Sequence, residues 1–133
     1  MNVEIYSLCD AATSDGGKLN MLGAFDTIWI KKFPAVHPHC AIALRIRFDR
    51  KERGTHNVKI NALDPNGANV VPPLEGKVNV KTVDQISSSS INLILNIQQL
   101  KLTNEGEYSF ELDIDGKKIS SLPLFVQVRV MSS

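Results

Sequence analysis

At 133 residues, 43% apolar and 22% charged, the chain has the length and balance of one globular domain, not of a disordered or fibrous protein. A net charge of +1 gives no long-range field to draw in nucleic acid or an anionic membrane. Its apolar runs are far too short to span a bilayer, and the opening MNVEIYSLCD lacks the basic start, apolar stretch and cleavage site of a secretory signal. A cytoplasmic setting is expected, with Cys9 and Cys40 reduced.

In chain order, strands are expected at 2–9, 17–31, 39–49, 56–63, 77–82, 90–99, 106–114 and 117–131. The dominant period is two. In HCAIALRIRFD, Cys40, Ile42, Leu44, Ile46 and Phe48 share one face, and Ala41, Ala43, Arg45 and Arg47 form a wet one. Ile91, Leu93, Leu95 and Ile97 alternate in the same way, as do Tyr108, Phe110, Leu112 and Ile114, and Leu124, Val126, Val128 and Val130. Such half-buried strands belong to antiparallel sheets covered on one side.

Turn residues fall between the runs. Asp64-Pro65-Asn66-Gly67 suits a type I turn, Asp115-Gly116 suits a two-residue hairpin loop, and SDGGK at 14–18 reads as another turn. NVVPPLEG and QISSSS read as mobile loops. The segment 98–105 is too short for a convincing helix and reads as a connection. Seven to eight strands then point to an all-β, two-sheet antiparallel sandwich of immunoglobulin-like or related Greek-key type, filling one domain over 1–133. Its expected core is Ile42, Leu44, Ile46, Ile91, Leu93, Leu95, Phe110, Leu112, Val126 and Val128.

The 17–31 strand is unusual in being apolar on both faces: Leu19, Met21, Phe25 and Trp29 on one, Leu22, Ala24, Ile28 and Ile30 on the other. Gly23 in its middle predicts a bulge or a bend between sheets.

His37-Pro38-His39-Cys40 is the one stretch that suggests a metal. Histidines two apart on an extended segment share a side, but a structural zinc needs four ligands and a catalytic one three plus water. Only His56 and Cys9 remain as soft candidates, so the stretch reads as a strand entrance, with His37 and His39 as weak metal candidates and no cofactor expected. Glu111, Asp113 and Asp115 mimic a calcium loop, yet Leu122 stands where its bidentate acid belongs. No GxSxG or phosphate-loop spacing occurs, so no catalytic residues are expected. The basic set Arg45, Arg47, Arg50, Lys51 and Arg53, interrupted by Asp49 and Glu52, reads as a solvated face and charged turn.

LNMLGAFDTI followed by KKFP, with GEYSFELDIDGKKI and LPLFVQV later, resembles an uncharacterised family of short bacterial proteins, a domain of unknown function. The resemblance covers nearly the whole chain, including a first strand ending in aspartate at Cys9-Asp10. It implies a sandwich and no activity. GEYSFEL is also similar to the late strand of immunoglobulin-like sandwiches.

The expected function is therefore that of a non-enzymatic module acting through protein contacts, as a homo-oligomer or with a protein partner, and without nucleic-acid or membrane partners. Trp29 and Phe125 are the expected contact residues, because apolar side chains on an outer sheet face mark interfaces. An internal lid over Trp29 or Phe125, made by a loop such as 64–76, is the competing expectation. The alternative function is a small-molecule or metal-binding sandwich using the His37/His39 segment.

Overall fold

The structure, a computed structural model, describes residues 1–81 and 86–129. Alternation turns the chain into nine strands among these residues: β1 Asn2–Asp15, β2 Lys18–Ala24, β3 Thr27–Ile30, β4 Ala35–Asp49, β5 Gly54–Leu63, β6 Leu74–Val80, β7 Ser88–Leu102, β8 Gly106–Ile114 and β9 Lys117–Val128. They form two packed sheets, β2-β1-β4-β7 and β3-β9-β8-β5-β6. Every pairing is antiparallel except β3 with β9, which is parallel.

The count is nine, not seven or eight, because the expected 17–31 strand is two strands in different sheets. Gly23 takes φ +69°, a left-handed turn that L side chains resist, and the chain corners there. The Phe25 amide donates to the Leu8 carbonyl of the first sheet at 2.9 Å. One residue on, the Asp26 carbonyl accepts from the Phe125 amide of the second sheet at 2.7 Å. The bend between sheets read at Gly23 is thus the observed crossover.

Between the sheets lie Leu8, Ile42, Leu44, Ile46, Phe48, Ile60, Tyr108, Phe110, Leu112, Leu124 and Val126, all buried. Of the expected core, Ile91, Leu93 and Leu95 are only half-buried, since β7 is an edge strand, and Val128 is half-buried near the end of β9. Val130 lies outside the described residues. Two tyrosines tie the core together. The Tyr6 hydroxyl crosses the sandwich to donate to the Phe110 carbonyl at 2.6 Å, and burial pushes its pKa up. The buried Tyr108 hydroxyl donates to Asn104 O at 2.8 Å and accepts from the amides of Thr103 and Asn104, fastening the turn before its own strand.

The face of β4 expected to be wet is instead half covered. Ala41 and Ala43 are 0% exposed, although they point away from the core. Past its pairing with β4, β1 continues to Asp15 and with β2 forms a hairpin that curls over the outer side of the first sheet. Its tip is held there by Asn92, which donates to Gly17 O at 3.2 Å and Ser14 Oγ at 3.3 Å, and by Arg45, which donates to Gly17 O at 3.4 Å. Ala12 and Leu19 pack on a floor of Cys9, Ala41, Ala43 and Ile94. Alanines suit that floor because larger side chains would lift the hairpin off.

Turn chemistry is largely as read. Asp115-Gly116, at φ +53° and +80°, closes the β8–β9 hairpin, and the Gly67 amide donates to Asp64 O at 2.9 Å. Ser88–Ser90, read as part of a mobile loop, are the first residues of β7 and pair with Arg47–Asp49; Gln85 lies outside the described residues.

Candidate functional site

The crossover from β2 to β3 leaves a cleft of about 440 Å³ at one flank of the sandwich, lined by Asp10, Gly23, Phe25, Thr27, Trp29 and His37 among others. The Asp10 carboxylate lies directly on Gly23, where any Cβ would overlap its Oδ2. The His37 ring sits beside Phe25, with centroids 5.8 Å apart and planes tilted by 49°. Trp29 is 55% exposed, with the Arg129 guanidinium 5.5 Å from the centroid of its ring. The cleft therefore offers an aromatic shelf, one carboxylate and one imidazole, a mix suited to holding an apolar group by its face and orienting it with a few polar atoms.

Two of the expected residues, Trp29 and His37, come together here. His39 does not. Gln99, at φ +59° opposite Pro38, interrupts the alternation of both paired strands. As a result His37 pairs with the buried Leu100, whereas Cys40 pairs with the buried Ile97 and leaves His39 on the opposite, exposed side. The premise that the two histidines share a side fails at this irregularity. Among the described residues, no group of three His, Cys, Asp or Glu side chains is arranged to hold a metal. Phe125 is half-buried on β9, beside Thr27 and two residue pairs along from Trp29. Among the described residues no loop covers Trp29, so the lid expected from 64–76 is not over it; Pro65 packs against Gly106 instead.

The other candidates are structural. Arg45 and Arg47 clamp one carboxylate, reaching Glu4 Oε1 at 3.0 Å and Oε2 at 2.8 Å, which lowers the Glu4 pKa. Arg45 also holds Asn92 at 2.9 Å and Arg47 holds Ser88 at 3.1 Å. Cys9 and Cys40 are free thiols buried on opposite faces of the first sheet, and burial pushes Cys40 up to about 11. A depression of about 560 Å³ on the outer face of the second sheet carries Glu75, Lys59 and Asp113 side by side, so its charges largely cancel.

His56 does meet an aspartate, but not as a base. Its Nδ1 lies 2.6 Å from Asp115 Oδ2 and its Nε2 2.5 Å from the Glu52 carbonyl, and the ring stacks on Phe48 at 4.9 Å. Both partners only accept, so the ring satisfies both when doubly protonated and keeps no lone pair for a substrate. The Glu52 carbonyl first and the Asp115 carboxylate second raise the His56 pKa; the Asn57 amide first and His56 second lower that of Asp115. The stabilisation from His56 is then full below its unfolded value and is lost as pH rises through its raised folded value. The urea midpoint should fall over that alkaline-going window, and His56→Gln should remove that part of the slope while leaving the rest, including that of the Met1 ammonium paired with Glu52. A wild-type slope unchanged by the substitution would refute the pairing.

Asp10 and Phe25 were not singled out as site residues by the sequence, because the cleft exists only where one chain segment changes sheets. The glycine at the corner was the available signal. The family described as a family of unknown function, DUF6941, matches residues 4–127. No curated protein and no solved structure matches the chain.

Proposed function

The chain belongs to the DUF6941 family of unknown function, and on that premise we propose that it is a non-enzymatic β-sandwich module acting through protein contacts, by self-association or with a protein partner. One observation carries this reading. Of six exposed large apolar residues among those described, three lie on the consecutive edge strands β2 and β3: Leu22 at 70%, Trp29 at 55% and Met21 at 41%. Edge strands are places where another chain can add to a sheet, and apolar side chains there invite it. The strand order supports an immunoglobulin-like reading of the module. On this reading β1, β4 and β7 would correspond to strands A, B and E, β5, β6, β8 and β9 to C, C′, F and G, and the Tyr108–Asn104 hydrogen bond to a tyrosine corner. The proposal includes a cytoplasmic setting, with no nucleic-acid or membrane partner.

The crossover cleft favours a second reading, a small apolar ligand held on Trp29 and Phe25 and oriented by His37, without His39. A photo-crosslinking residue placed at Leu22 in the source cells separates the two. Protein adducts at Leu22, absent when the probe stands at the polar-face position Lys59, are expected. Absence of any protein adduct from Leu22, Met21 or Trp29 would overturn the contact reading at this flank.

A further inference from the structure

The opposite flank of the molecule carries a different surface. β7 is a 15-residue strand that pairs with β4 alone, so its other edge has no strand against it among the described residues. From Ser88 to Leu100 it contains no charged residue and no proline, the two commonest protections of an open edge. Its inward side chains Leu93 and Leu95 are half-buried, although their β4 partners Leu44 and Ile42 are fully buried. The core is thus only partly closed along this flank: Leu93 packs across it against Gly76 of β6, while the side chains stay half-buried and the outer backbone edge pairs with no strand among the described residues.

The sequence of the edge points to its occupant. Residues 91–97 read INLILNI, which is the same in both directions about Ile94. An isologous two-fold contact places residue i opposite j of the partner and j opposite i. Along this stretch, antiparallel pairing centred on Ile94 sets every residue against its own kind: Leu93 against Leu95, Asn92 against Asn96, Ile94 against Ile94. Cross-strand partners share a face, so leucine would meet leucine inside and asparagine would meet asparagine outside. A strand from an unrelated protein would gain nothing from a palindrome. Gln99, at φ +59°, marks the end of the regular stretch two residues beyond it.

We propose that two copies of the chain pair antiparallel along β7, about a two-fold axis through Ile94, joining their first sheets into one eight-stranded sheet. This rests on the reading of the module as one that acts through protein contacts, and it assigns self-association to this flank, leaving the crossover flank for another contact.

The solution mass at micromolar concentration should be twice the 14.7 kDa chain, and Ile94→Lys should halve it by setting like charges face to face. Ile94→Cys should form an intermolecular disulfide under mild oxidation, because directly opposed residues have Cα atoms about 4.5–5.5 Å apart. Asn96→Cys alone should not, since its copy would sit four residues away, on the order of 13 Å along the strand. The native cysteines are buried and stay out of the reaction. A monomeric wild type, or a dimer whose position 94 fails to cross-link, would overturn the proposal even if Ile94→Lys misfolds. A dimer broken by Trp29→Glu but not by Ile94→Lys would overturn the β7 axis and leave the contact reading standing. Absence of both self-association and crossover adducts would remove both.

Discussion

Leu44→Ala is expected to destabilise the fold by about 3–5 kcal/mol, the cost of a cavity in a core that cannot collapse around it. Leu44 is 0% exposed and lies in the middle of the first sheet, between Tyr6 of β1 and Leu93 of β7. Both neighbours face the second sheet, so no solvent can enter the vacated space without unpairing a strand. Leu93→Ala is the informative comparison. Leu93 is opposite Leu44 on the same face, yet it is half-buried on an edge strand with Gly76 of β6 against it, where removal leaves a dent instead of a closed cavity. It should cost roughly 1–2 kcal/mol, measured well below the concentration at which two copies would cover that flank. Urea denaturation at low protein concentration reads both. Equal losses would mean that the β7 flank is closed within one chain.

That contrast also shows what alternation can and cannot reveal. Period two assigned Leu44 and Leu93 to the same interior correctly, because a pleated strand points every second side chain the same way. It could not say that β7 lies at an edge, since edge or centre is decided by which strands come together from distant parts of the chain. Ala41 and Ala43 illustrate the same limit from the other side. Their alternation assigned them rightly to the face away from the core, but the covering hairpin comes from residues 10–24, and nothing in HCAIALRIRF announces it except the small size of the alanines. The histidine pair failed for a local reason, because one left-handed residue in the neighbouring strand, Gln99, shifts the facing of the strand it pairs with. Gly23 was the most legible point of the candidate site. Its presence inside an apolar strand signalled a bend, and the bend makes the cleft.

Gly23→Ala should therefore be among the most damaging substitutions outside the core, at about 2–4 kcal/mol. Two effects add. Holding an alanine in the left-handed region costs roughly 1–2 kcal/mol, and the new Cβ must also displace the Asp10 carboxylate, which occupies its place. Gly67 separates the two effects. It has φ +87°, and a Cβ there would have no neighbour within 4 Å, so Gly67→Ala carries the backbone cost alone. The excess at Gly23 over Gly67 is then the steric part, and it should disappear when Asp10 is also replaced by glycine. A double-mutant cycle on urea midpoints measures this coupling directly. Because Trp29 is the one tryptophan and sits just beyond the corner, its fluorescence should change in Gly23→Ala and not in Gly67→Ala. A Gly23→Ala protein no less stable than Gly67→Ala, with Trp29 emission unaltered, would mean that the chain does not turn between sheets at this residue. The cleft would then lose the corner that shapes it.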